Sequence, residues 1–321
     1  MKDKKIRIGI IRGLLYYKYT AMWEEFFKQL NCDILKSPPT NKGILGRGLS
    51  VSIDESCLAV KIFLGHVDYM KDKVDYVLVP RIESLIKDEF LCSKFMGLPD
   101  VVRNSFDNIN VLDFSISMEE GISIKCAFLE LGKKFSSNPF KIRAAYKKAC
   151  EAQNKFEEDL EKGVIPQKVL NKGVLNNKSS LKIALLGHPY NVYDEFLGVP
   201  IIKKLKELGA EIKTAEAVDQ KTARDLSKNI SEKLYWTYNK EILGAAQYYL
   251  DKGIGGIIFL VSFPCGPDSL TIEMAIKKIK NKIPVMVLVL DELQAEAGLQ
   301  TRLESFVDIL KMQKDANYAA N

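Results

Sequence analysis

Lys28-Gln29-Leu30-Asn31-Cys32-Asp33-Ile34 and Lys206-Glu207-Leu208-Gly209-Ala210-Glu211-Ile212 read as one junction written twice. Each combines the end of an amphipathic helix, a residue suited to a left-handed cap (Asn31, Gly209) and the first residues of a strand. The flanks correspond as well. Residues 6–11 form a short apolar run suited to a buried strand, followed by a glycine-containing turn, an amphipathic stretch over 20–30 and a strand over 32–35. In the second half, 181–186 is the strand, Gly187-His188-Pro189-Tyr190-Asn191 the loop, 201–208 the helix and 211–213 the next strand. Further on, Tyr69-Met70-Lys71-Asp72-Lys73 precedes an apolar strand at 76–79, and Tyr249-Leu250-Asp251-Lys252 precedes one at 256–261. Both of these strands run into a proline-containing loop. Strands alternating with helices in this way predict two α/β, Rossmann-like lobes with parallel sheets, over residues 1–121 and 181–321. Between them, 122–180 reads as a Lys-rich helical connector that ends in a polar linker over 171–180.

At 321 residues, 47% apolar and 27% charged, the chain can bury a sizeable interior in about two domains. Its longest apolar runs fall short of the roughly 20 residues a membrane-crossing helix needs. The start, Met1-Lys2-Asp3-Lys4-Lys5, leads into an alternating run instead of a signal-type segment, so a cytoplasmic protein without a membrane association is expected. The net charge of +6 is Lys interleaved with Asp and Glu, which predicts solvated helix faces and argues against a nucleic-acid partner. In a reducing compartment the six cysteines are core fillers, nucleophiles or metal ligands rather than disulfides.

Ligands of open α/β sheets lie beyond the carboxyl ends of the strands, so cysteines in post-strand loops carry the most information. Cys265 sits in Ser262-Phe263-Pro264-Cys265-Gly266-Pro267-Asp268-Ser269, a rigid turn between a buried-type strand and a helix over 270–279, where Asp268 or Ser269 can cap. Cys92 lies in the long loop that follows the 76–79 strand and precedes a helix start at Pro99-Asp100. Cys57 opens an amphipathic helix over 58–70, whose amino-terminal amides favour a thiolate. Cys32 aligns with Ala210 and reads as core; Cys126 and Cys150 lack Gly or Pro framing and read as buried small hydrophobes. From residues alone, Cys57, Cys92 and Cys265 are either three unrelated buried thiols, three zinc ligands with His188 as the fourth, or ligands of an iron–sulfur cluster with one open iron.

Several long motifs then take on a shared identity: Ile10-Ile11-Arg12-Gly13-Leu14-Leu15-Tyr16-Tyr17, Ser37-Pro38-Pro39-Thr40-Asn41-Lys42, Asp54-Glu55-Ser56-Cys57-Leu58-Ala59-Val60-Lys61 and Gly65-His66-Val67-Asp68. Leu91-Cys92-Ser93-Lys94-Phe95-Met96-Gly97-Leu98-Pro99-Asp100, the His188 loop, the Cys265 loop and Glu296-Ala297-Gly298 before Thr301-Arg302 continue the series. Over nearly its whole length the chain resembles stand-alone proteins related to the D-component of 2-hydroxyacyl-CoA dehydratases and to acyl-CoA dehydratase activases. The wider superfamily includes benzoyl-CoA reductases and double-cubane cluster proteins. The resemblance implies that Cys57, Cys92 and Cys265 hold a four-iron four-sulfur cubane in the interlobe cleft, alone or as part of a larger double-cubane-type cluster. It also implies low-potential electron transfer or reductive or dehydratase chemistry on a small acyl-CoA-like substrate. The implied partner is a separate activator ATPase with its own cluster, and the implied assembly a homodimer or heterodimer.

The chain departs from the catalytic members in three ways: no GxxxxGK[ST] phosphate loop, Leu293 where relatives suggest histidine, and Ala59 where they suggest proline. The remaining candidates are weaker. His188 suits either a substrate contact or a satisfied loop histidine, and His66 reads as packing. Arg12, Tyr16 and Tyr17 are placed to meet an anion, Arg81 and Glu83 to pair with each other, and Gly43, Gly46 and Gly48 match no nucleotide fingerprint. No acid–base residue is assigned.

Overall fold

In the computed structural model, residues 5–163, 181–279, 281–293 and 296–319 are described; the linker assigned to 171–180 lies outside them. The chain divides into two compact units, Met1–Glu158 with Tyr235–Thr237, and Asp159–Leu234 with Tyr238–Asn321.

Unit 1 runs β1 (Arg7–Ile10), α1 (Tyr16–Gln29), β2 (Asp33–Lys36), α2 (Lys42–Val51), α3 (Leu58–Met70), β3 (Tyr76–Leu78), β4 (Arg81–Ser84) and α4 (Ser93–Ser105). It continues with β5 (Val111–Leu112), β6 (Ser115–Ser117), α5 (Ile124–Gly132) and α6 (Pro139–Glu161). Its main sheet has the order β2-β1-β3-β5, all parallel. A short parallel pair, β4-β6, follows where β3 and β5 break off. Helices α5 and α6 occupy the stretch read as a connector. Phe128 of α5 packs edge-on against Phe26 of α1 with centroids 4.9 Å apart, so this hairpin helps to close the core of unit 1.

Unit 2 runs β7 (Leu181–Gly187), α7 (Pro189–Val192), α8 (Gly198–Glu207), β8 (Ala210–Thr214), α9 (Gln220–Ser227), α10 (Thr237–Asp251), β9 (Gly256–Ser262), α11 (Gly266–Ile279), β10 (Val285–Leu290) and α12 (Glu296–Ala319). The order β8-β7-β9-β10 is again fully parallel. All seven residues of β9 are buried, as expected of a central strand covered by helices on both faces.

The repeat is therefore one of topology as well as sequence: in both units the second strand lies outside the first, and the third and fourth lie on its other side. Both junctions behave as read, since Asn31 and Gly209 adopt φ of 66° and 86° before β2 and β8. In each sheet the order reverses between the first and third strands, which opens a crevice at their carboxyl ends. In unit 2 that point lies between His188, after β7, and Cys265, after β9.

Two local expectations are corrected. The helix placed at Pro99-Asp100 begins earlier: α4 starts at Ser93, with Cys92 at its N-cap and Pro99 inside it. Proline cannot donate to the carbonyl one turn back, but Phe95, Leu98, Pro99 and Val102 are buried together, and that packing sustains the helix. In the same turn, Arg81 donates to the Met96 carbonyl at 2.6 Å. Arg81 also pairs with both oxygens of Asp100 at 2.8 Å instead of pairing with Glu83. The Asp100 carboxyl is held below its ordinary value by that Arg81 hydrogen bond.

The glycines of 43–48 lie in helix α2 or at its start. A Cβ on Gly48 would collide with the Lys61 carbonyl of α3, and a Cβ on Gly65 with the Ile44 carbonyl of α2. These two glycines let α2 and α3 cross backbone to backbone, which is a packing role.

Candidate functional site

The carboxyl end of the unit 2 sheet carries a buried polar cluster. Gly187 ends β7 so close to β9 that a Cβ there would lie 2.7 Å from the Leu260 carbonyl oxygen, so glycine alone allows the chain to turn off at this height. His188 follows as the N-cap of α7 and is only 5% exposed. Its Nε2 lies 2.8 Å from Oδ1 of Asp268, a residue of the first turn of α11 that is 2% exposed. The Asn239 side chain of α10 donates to the same oxygen at 2.8 Å. A second tie joins the two post-strand loops: Ser262, the last residue of β9, donates to Asn191 Oδ1 at 2.6 Å.

Burial would raise the Asp268 carboxyl, but the His188 charge and hydrogen bonds from His188, Asn239 and Cys265 outweigh burial and hold it below its ordinary value. Asp268 therefore stands as a carboxylate that accepts on several sides. It does not act as the helix cap suggested by sequence, because it lies inside α11 and turns to His188. The Cys265 carbonyl opens the helix by accepting from the Ser269 amide at 3.1 Å, and Ser269 Oγ donates to that carbonyl at 2.7 Å. The Phe263–Pro264 peptide that leads into this turn is cis.

In unit 1 the corresponding sheet edge holds Arg12, Thr40 and His66. His66 is fully buried within α3, with Nε2 3.0 Å from Thr40 Oγ1. Burial, with Arg12 adding to it, lowers its pKa to about 3. The folded chain thus keeps His66 neutral where an unfolded chain would take up a proton. Stability should be unaffected above the ordinary value of 6.5 and fall as the pH drops from 6.5 toward 3, by up to about 1.4 kcal/mol per pH unit from this group. Denaturation midpoints between pH 4 and 7 for the wild type and His66→Gln check this; identical slopes would remove His66 as the source. Tyr16 and Tyr17 are 1% exposed, so they serve the core, with the Arg12 guanidinium 5.9 Å from the Tyr16 ring centre.

All six cysteines are unbridged. Cys57 is the N-cap of α3, Cys92 the N-cap of α4, and Cys265 immediately precedes α11. All three thiols are half-buried. Their carbonyls accept the first intrahelical bonds, from the Lys61, Phe95 and Ser269 amides. Cys57 and Cys92 belong to unit 1 and Cys265 to unit 2. The other three differ. Cys32 is buried and its thiol is pushed up to about 11 by burial and by the adjacent Asp33. Cys126 is exposed, contrary to its reading as a buried hydrophobe, because the first turn of α5 turns it outward, where Ser123 Oγ donates to it at 3.2 Å. Cys150 is half-buried beside Tyr146 in α6. Among the described residues, no group of three or more His, Cys, Asp or Glu side chains is arranged to hold a metal ion, and no helix is long and apolar enough to cross a membrane.

His188, Cys265 and, as a cap, Asp268 stand out in the sequence, but the contacts that join them through Asn239 do not. Asp268 and Asn239 lie 80 and 51 positions from His188, and neither stands in a motif that announces a partner.

The family model described as CoA enzyme activase uncharacterised domain matches residues 7–218. Among curated proteins, none matches the sequence. Of solved structures, the periplasmic zinc binding protein TroA from Treponema pallidum aligns with 96% of this chain and 99% of its own, at 9% identity and a TM-score of 0.24. That likeness is too distant to bear on fold or chemistry.

Proposed function

The chain belongs to the family described as CoA enzyme activase uncharacterised domain, and on that premise we propose that it is an oxygen-sensitive iron–sulfur protein. Cys57, Cys92 and Cys265 would hold a four-iron four-sulfur cluster that serves a small acyl-CoA-like substrate. A separate ATP-hydrolysing activator would be its electron donor; the family's name supports an activator–enzyme partnership. When bound, such a cluster supplies low-potential one-electron reduction.

The observation that carries this reading is the shared setting of the three cysteines. Each is the residue from which a helix starts, and its carbonyl accepts that helix's first intrahelical bond. A helix terminus stabilises an anion by roughly 0.3–1 kcal/mol, too little to justify three such placements by itself but appropriate to ligands of an anionic cluster. None of the other three cysteines occupies that position. The chemistry of the donors suits the group, since all three are half-buried thiols.

The chain's own residues have defined tasks here. Asp268 fixes the Cys265 turn through the thiol and ties it to His188, while Asn239 and His188 hold that carboxylate in place. On unit 1, Arg81 braces the α4 turn that contains Met96 and Pro99, one turn beyond Cys92. Anaerobic reconstitution with iron and sulfide, followed by chemical reduction, tests the reading. The expected result is a paramagnetic resonance signal from the reduced cluster that changes on addition of 2-hydroxybutyryl-CoA. A cluster signal indifferent to the thioester would reduce the function to electron carriage, and a protein that takes up no iron would overturn the reading.

A further inference from the structure

His188 has one nitrogen accounted for and one not. Nε2 is engaged by Asp268 at 2.8 Å, whereas Nδ1 is buried with no hydrogen-bond partner among the described residues. An imidazole nitrogen left in that state is costly unless something binds it. The ring has no freedom to turn away and find a partner. Tyr190 stacks on one face with centroids 5.0 Å apart and planes 20° from parallel, and Tyr238 meets it edge-on at 6.3 Å.

The network also fixes where the proton sits. Asp268 Oδ1 receives the Asn239 amide, whose nitrogen can only donate, and the same oxygen faces His188 Nε2. A carboxylate cannot donate, so in the neutral ring the hydrogen is on Nε2 and Nδ1 keeps its lone pair. A buried, rigidly held lone pair at the reversal point of a parallel sheet, one loop away from Cys265, is placed to take a hydrogen from an O–H group.

We propose that His188 Nδ1 accepts the hydroxyl hydrogen of a bound hydroxyacyl thioester, with Asp268 and Asn239 as the positioning residues that keep its lone pair available. The assignment rests on the acyl-thioester reading above and adds to it the residue that recognises the hydroxyl group.

The chain has two histidines, so labelling the imidazoles with nitrogen-15 gives two rings, distinguished by His66→Gln. In the wild type, the His188 ring should show hydrogen on Nε2 and none on Nδ1. Addition of 2-hydroxybutyryl-CoA should shift the Nδ1 resonance, and butyryl-CoA, which lacks only the hydroxyl, should not. His188→Phe removes both ring nitrogens, so it should lower the preference for the hydroxy thioester over butyryl-CoA about tenfold. The wild-type spectra carry the test even where the variant fails to fold. A hydrogen found on Nδ1, in the neutral or the charged ring, overturns the assignment. So does equal response to the two thioesters when both bind, an outcome that leaves the thioester reading standing. If neither thioester binds, both fall together.

Discussion

Replacing Cys57, Cys92 or Cys265 by alanine, one at a time, is expected to reduce the iron of the anaerobically reconstituted protein from about four atoms per chain to fewer than about one. Cys32→Ala and Cys126→Ala should keep the full amount. The difference in expectation comes from placement. Cys32 is buried against the core with its thiol pushed up to about 11, a state that resists the deprotonation iron requires. Cys126 is exposed in α5 and engaged with Ser123. By contrast, each of the first three opens a helix in a half-buried turn, and loss of one sulfur from a three-cysteine site leaves a cubane with too few anchors to persist. Circular dichroism before reconstitution separates ligand loss from misfolding, since removal of a half-buried thiol should cost no more than about 1 kcal/mol. Retention of iron by both Cys92→Ala and Cys265→Ala would show that the ligands are elsewhere.

The second large effect lies in unit 1. Gly48→Ala and Gly65→Ala should each destabilise it by about 3 kcal/mol, because the added methyl meets a backbone carbonyl that belongs to another helix and cannot rotate aside. Gly46→Ala provides the contrast. Nothing lies within 4 Å of the methyl it would add, and replacement of a helical glycine there should stabilise by roughly 0.5–1 kcal/mol. Trp23 lies in α1, so fluorescence during urea denaturation in a Trp236→Phe background follows unit 1. If all three variants unfold at the same urea concentration, the close α2–α3 crossing is wrong. Loss of this crossing would also disturb the site, because α3 carries Cys57 at its start and His66 within it.

The two-sheet architecture was legible because its signal is local and repeated. The left-handed residues Asn31 and Gly209 mark the same helix-to-strand joint in both halves, and uniformly apolar β9 has the composition of a central parallel strand. The start of α4 was not legible. Pro99-Asp100 has the form of a helix opening, and only burial of Pro99 with Phe95 and Val102 reveals it as the middle of one. Glycines 43, 46 and 48 conceal a helix for a similar reason: the value of Gly48 lies in its contact with α3, which no propensity records, while Gly43 and Gly46 share the helix without such a contact. At the site, cysteines framed by proline and glycine could be picked out from their neighbours. The His188–Asp268–Asn239 network could not, because it joins the ends of β7, α10 and α11 through contacts that exist only once the sheet has formed.

Diffraction from anaerobically grown crystals, collected on both sides of the iron absorption edge, measures the central claim directly. One iron–sulfur cluster bonded to the sulfurs of Cys57, Cys92 and Cys265 is the expected result. Iron held by other side chains, or those three sulfurs standing apart with no iron between them, would contradict it.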